Sequence, residues 1–125
     1  MYEIVKGAFT QDDLISFFSS DRVMKTILPG DILVFDNCQT HHTAEVGSFL
    51  ATYVAGLHAH LLFLPPYSPQ LNPIEYAFGT LKRYCRHHLP NPESTEQLVS
   101  LIEEATRTLT PALLRTWYKH IGYLA

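Results

Sequence analysis

Cysteine is scarce, with only Cys38 and Cys85 in 125 residues. That excludes a secreted disulfide framework and leaves reduced thiols as the default. An excess of positive charge is missing too: nine lysines and arginines stand against twelve aspartates and glutamates, a formal net charge of −3. A uniformly basic surface for strong nonspecific nucleic-acid binding is thereby excluded, while a local basic patch is not. No apolar run approaches the length of a membrane span, and the N-terminus has no basic stretch followed by an apolar one. The expectation is a soluble, intracellular protein with no membrane partner. Internal repeats and low-complexity segments are also lacking. What is present, 46% hydrophobic and 17% charged residues, is the composition of one folded domain with room for a single core.

The most informative stretch runs from Leu64 through Pro65-Pro66-Tyr67-Ser68-Pro69-Gln70-Leu71-Asn72-Pro73-Ile74 to Glu75. Pro65, Pro66 and Pro69 fix φ and remove backbone donors, so strand and helix both stop there. Asn72 then suits an N-cap, Pro73 the first helical position and Glu75 the third. The result is a stiff arm ending in a carboxylate on the first turn of a helix. Upstream, Ile32-Leu33-Val34-Phe35 is a continuous apolar run, expected of a buried strand. It ends in Asp36-Asn37, a second carboxylate on a rigid element.

Other elements follow in order. Tyr2 to Lys6 alternates roughly as a short strand closed by Gly7. Thr10 with Asp13 reads as an N-cap pair, followed by helical spacing of Leu14, Phe17, Phe18, Met24 and Ile27. Leu28 to Asp31 is a turn. Thr43 caps a helix carrying Val46, Phe49, Leu50, Tyr53, Val54 and Leu57 as one apolar stripe, with Gly56 closing it. His60 to Leu64 is the next strand. Strands alternating with helices imply a parallel sheet with right-handed crossovers. Beyond the arm, Pro73 to about His88 is helical. Ser94 with Gln97 then opens a helix bearing Leu98, Leu101, Ile102 and Ala105. Thr110-Pro111 opens a last helix with Leu114, Trp117, Tyr118 and Ile121 inward. Residues 1–90 are expected to form the core and residues 91–125 a helical hairpin packed on the same domain.

Phe35-Asp36-Asn37 with His41-His42, followed by Leu64-Pro65-Pro66-Tyr67-Ser68-Pro69 and Leu71-Asn72-Pro73-Ile74-Glu75, closely resembles the DDE catalytic domain of mariner-superfamily transposases. The resemblance covers about Tyr2 to His88. It implies an α/β, truncated ribonuclease-H-like fold with about three mostly parallel strands. It also implies metal-dependent cleavage and joining of DNA at element ends, and a nuclear or nucleoid location depending on host. Asp36 would be the second acidic residue of the triad and Glu75 the third, both catalytic and both ligands for Mg²⁺ or Mn²⁺. Carboxylates on separate rigid elements are what two-metal phosphoryl chemistry asks for. Asn37, His41, His42 and Asn72 would support them. The family's first Asp lies on a strand upstream of the region resembling Tyr2 to Gly7, and neither Glu3, Asp12 nor Asp13 stands at its position. Weak metal binding and little or no strand transfer are therefore expected of this chain alone. About four additional residues between Asp36 and Pro65, relative to the family pattern, amount to about one helical turn.

Plainer readings stand beside these. Asp36 could be a turn residue, and Glu75 a capping-box carboxylate. Lys82, Arg83, Arg86, His87 and His88 form either a solvated helix face or a phosphate contact for DNA. Tyr67 either packs on its own arm or stacks on a frayed base. Cys38, His41, Cys85 and His87 or His88 could make an irregular zinc site. A non-catalytic DNA-associating or oligomerisation module is the rival function. Without an opening strand, Ile32 to Phe35 keeps an unpaired edge, so either Tyr2 to Lys6 docks beside it or two chains pair.

Overall fold

The computed structural model describes residues 2–125. They fall into two compact units, one ending at Ser68 and the other running from Pro69 to Ala125.

The first unit is built on a β-α-β segment. β1 (Ile32–Phe35) and β2 (His60–Phe63) pair in parallel, Ile32 opposite His60 and Phe35 opposite Phe63. The ladder continues at both ends: His60 N–H donates to Asp31 O at 2.7 Å and Leu64 N–H to Phe35 O at 2.8 Å. The helix that follows α1 (Gln11–Ser19) and the one-turn α2 (Asp21–Met24), namely α3 (Ala44–Gly56), connects the strands. Thr43 Oγ1 caps α3 by accepting from Val46 N–H at 3.3 Å. Its stripe buries Val46, Leu50 and Val54, and the first two join Leu14 and Phe35 in the core.

Two strands are observed among the described residues where about three were expected. Tyr2 to Lys6 forms no strand. Ile4 and Val5, adjacent in sequence, are both half-buried while Tyr2 and Glu3 are exposed. No period-2 face therefore exists to lay on a sheet. Instead the segment is tethered by Arg22, whose Nη2 donates to Tyr2 O at 3.1 Å. β1 pairs with β2 alone, so Tyr2 to Lys6 does not fill its other edge.

The helical spacing from Leu14 to Ile27 is likewise interrupted. Ser20, at ψ 136, leaves the helix, and its Oγ accepts from Val23 N–H at 3.4 Å to start α2. Closure of α3 also shifts: Gly56 stays helical and His58 takes the left-handed conformation (φ 54).

At the start of α1 the capping box is complete. Asp13 Oδ2 accepts from the Thr10 hydroxyl at 2.6 Å and from Thr10 N–H at 2.8 Å. These bonds, the hydroxyl's first, hold the Asp13 carboxyl below its ordinary 3.8. A carboxyl lowered in the folded state stabilises it at pH above the unfolded value, and that stability is lost as pH falls through the folded one. Thermal melts should show Asp13→Asn less stable than wild type near neutrality. The gap should close below about pH 4.

The second unit opens with a 3₁₀ turn (Pro69–Leu71), followed by α4 (Ile74–His88), α5 (Thr95–Thr106) and α6 (Pro111–Ile121). Ser94 and Thr110 cap α5 and α6 through bonds from Gln97 N–H and Leu113 N–H. Leu101 and Ala105 of α5 are buried. The Tyr84 hydroxyl of α4 donates to Glu104 Oε1 of α5 at 2.8 Å. From α6, Trp117 stacks on Tyr76 at 6.0 Å. Leu114, Trp117 and Ile121 are half-buried as expected, while Tyr118, expected inward, is exposed. α6 is amphipathic, but it carries no fully buried residue. No helix among the described residues is long and apolar enough to cross a membrane.

Candidate active site

Asp36 immediately follows β1, at the carboxyl edge of the parallel pair, where ligands of open α/β sheets collect. The chain then makes a tight descent. Asp36 Oδ1 accepts from Cys38 N–H at 3.2 Å, an Asx turn. A 3₁₀ turn (Gln39–His42) brings His41 back over it. His41 Nδ1 lies 2.8 Å from Asp36 Oδ1 and 3.3 Å from Asp36 O. A carboxylate and a carbonyl can only accept, so Nδ1 carries the proton. The ring stands edge-on to Phe35, with centroids 5.1 Å apart. His42 does not reach Asp36 but stacks on Phe63, at 4.6 Å. The two histidines thus divide the work: one clamps the carboxylate, and the other covers the end of β2.

The turn reading of Asp36 is therefore correct as far as it goes, since Oδ1 is committed to local bonds. Oδ2 accepts none among the described residues, and the side chain is 46% exposed. Asn37, also exposed, makes no side-chain hydrogen bond there.

Glu75 belongs to the second unit. Pro73 has helical angles (φ −60, ψ −24) and Asn72, one residue earlier, does the capping: its Oδ1 accepts from Ile74 N–H at 3.3 Å. Asn72 is buried, and its own N–H donates to Pro69 O at 3.0 Å, joining the 3₁₀ turn to the helix. Glu75 makes no capping-box bond; its carboxylate has no hydrogen bond or ion pair among the described residues. It lies exposed beside a depression of about 260 Å³ lined by Pro69, Gln70 and Tyr76.

Further along α4, Gly79, Lys82, Arg83, Arg86 and His87 line an open groove of about 470 Å³. Their spacing is that of one helix face. His88 leaves this group: it stacks on Tyr84 at 3.9 Å and its Nδ1 lies 2.9 Å from Tyr84 O. Gly79 is the groove residue that charge patterning could not reveal. Tyr67 is fully exposed and has φ 54, so it does not pack on its own arm.

Divalent ions prefer hard oxygens on rigid supports. Asp36 Oδ2 and the Glu75 carboxylate are such donors, both accessible. Among the described residues, however, no three His, Cys, Asp or Glu side chains are grouped as ligands. The Cys/His zinc arrangement is accordingly not assembled.

An accessible strand-end carboxylate, clamped by a histidine, thus sits on a parallel β-α-β segment of a small α/β domain. The match to a family model is direct: residues 1–99 fit that of the DDE superfamily endonucleases, and the chain belongs to that family. Enzymes of this superfamily use divalent metal ions and act on DNA. No curated protein and no solved structure matched the chain.

Proposed function

We propose that this chain carries the second and third acidic residues, Asp36 and Glu75, of a mariner-type DDE transposase site for metal-dependent cleavage and joining of DNA. The whole would be a ribonuclease-H-like domain. The observation that carries the reading is the state of the two carboxylates. Each is presented by a regular element, each is accessible, and each has oxygen atoms that the fold does not use. A divalent pair, Mg²⁺ in this reading, supplies activation of the attacking hydroxyl and stabilisation of the leaving oxygen. The protein's part is orientation. His41 holds Asp36 Oδ1 so that Oδ2 faces outward in one rotamer, much as outer-shell partners fix metal-ligating groups. Asn72 fixes the first turn of α4 and with it the backbone of Glu75. Lys82, Arg83 and Arg86 would hold the DNA backbone. With two acidic residues assigned, we expect weak metal binding and little or no strand transfer by the chain alone.

Manganese binding followed by electron paramagnetic resonance tests this without relying on turnover. Asp36→Asn and Glu75→Gln should each weaken binding, by at least the roughly tenfold that outer-shell losses cost elsewhere. A variant that binds Mn²⁺ as wild type does would remove its carboxylate from the site.

A second reading is a non-catalytic, DNA-associating or oligomerisation module derived from such a domain. The open edge of β1 favours it. Sedimentation showing a dimer, together with no Mn²⁺-dependent nicking of plasmid DNA, would support this alternative.

A further inference from the structure

We propose that Tyr67 is a stacking post for an unpaired nucleobase of the DNA strand that reaches the Asp36 rim; the idea rests on the reading that this rim receives DNA. Two features of Tyr67 are each unfavourable in an isolated chain. Its side chain is 100% exposed, so a large ring stands wholly in water. Its φ of 54 lies in the left-handed region that bulky residues rarely enter. The arm enforces both. Pro65 and Pro66 precede the residue and Pro69 follows it, and Ser68 Oγ donates to Pro66 O at 3.1 Å to close the turn. A ring on a flexible loop would collapse onto neighbouring prolines, whereas this one is held off them.

Its position gives the ring a use. β1 and β2 are parallel and end in register at Phe35 and Phe63, and Leu64 N–H still bonds to Phe35 O. The arm therefore leaves the same edge of the sheet as Asp36. From Leu64 to Tyr67 is three residues, a reach of at most about 10 Å. The ring thus stands close to the strand end that carries the carboxylate. A flat aromatic face there suits a base that has lost its pairing partner, because stacking is tolerant of base identity. Paired bases are already stacked and would have to be extruded first. A protein interface would instead want a broad buried core around its aromatic anchor. Tyr67 projects from a narrow arm whose neighbours Pro65, Pro66, Pro69 and Gln70 are themselves exposed.

The test uses the whole chain and a duplex with a single-stranded overhang containing 2-aminopurine, whose fluorescence falls when it stacks. Wild type, Tyr67→Phe and Tyr67→Trp should quench the probe. Tyr67→Ala should not, and it should bind the overhang duplex about tenfold more weakly while binding a blunt duplex unchanged. Wild-type protein that fails to quench, or Tyr67→Ala that quenches as wild type does, overturns the proposal. So does a Tyr67→Ala variant that splits a dimer in sedimentation, which would make the ring a contact between copies. Asp36→Asn should leave the quenching intact. Quenching without carboxylate-dependent Mn²⁺ binding would therefore defeat the active-site reading alone, and the converse would defeat only the stacking post.

Discussion

Phe35→Ala is expected to destabilise the first unit by about 3–5 kcal/mol. That is a large part of the roughly 5–15 kcal/mol that holds an ordinary domain together. Phe35 is buried at the end of β1 and is the shared neighbour of three rings: Phe18 at 5.6 Å, Phe63 at 6.0 Å and His41 at 5.1 Å. Removing it leaves a cavity under both strand ends and takes away the surface against which His41 is set. Loss of fold and loss of clamp would be indistinguishable in that variant, so Phe35→Leu is the informative companion. It keeps most of the volume and should cost less than about 1.5 kcal/mol, but it removes the ring edge that His41 meets. Urea denaturation measures the first effect. The ¹⁵N shifts of the His41 imidazole measure the second, because an Nδ1 bonded to a carboxylate stays protonated in the neutral tautomer. If Phe35→Leu leaves those shifts untouched, the bond to Asp36 alone orients His41.

The second large effect concerns the α4 groove. Replacing Lys82, Arg83 and Arg86 together by glutamine should lower duplex affinity by on the order of a hundredfold at about 0.1 M salt. It should also reduce the slope of log K against log salt by close to 0.9 for each phosphate that is no longer neutralised. The three side chains are exposed and none is paired with a carboxylate among the described residues. Their removal should therefore leave the melting temperature nearly unchanged. The net charge of −3 makes the prediction sharp: with little general attraction to DNA, a local patch has to supply most of the electrostatic attraction. An unchanged salt slope would return this face of α4 to a merely solvated surface. The groove's membership also bears on how the result is read. His88, adjacent in sequence, is occupied with Tyr84, so His88→Gln is a control that should not affect DNA binding.

Much of this arrangement is legible in the chain itself. Thr10, Thr43, Ser94 and Thr110 cap their helices as their spacing implies. The apolar runs at Ile32 and His60 form the strands, and the proline arm stops the second of them. Tyr2 to Lys6 misleads because a strand is completed by a partner, and alternation over five residues says nothing about whether one is within reach. The pair His41-His42 is visible as chemistry but not as geometry. The short 3₁₀ turn directs one ring toward Asp36 and the other toward Phe63.

The sequence by itself marked the caps of four helices, at Thr10, Thr43, Ser94 and Thr110, and the proline break after the second strand. Each of those depends on φ limits, missing donors or hydrogen bonds closed within about one turn of chain. Tertiary structure alone decided which oxygen of Asp36 is left over, which histidine clamps it, which cations share a groove, and that Tyr67 stands free. These outcomes depend on how a short turn, a helix face or a proline arm directs side chains in space, which the order of residues along the chain does not show.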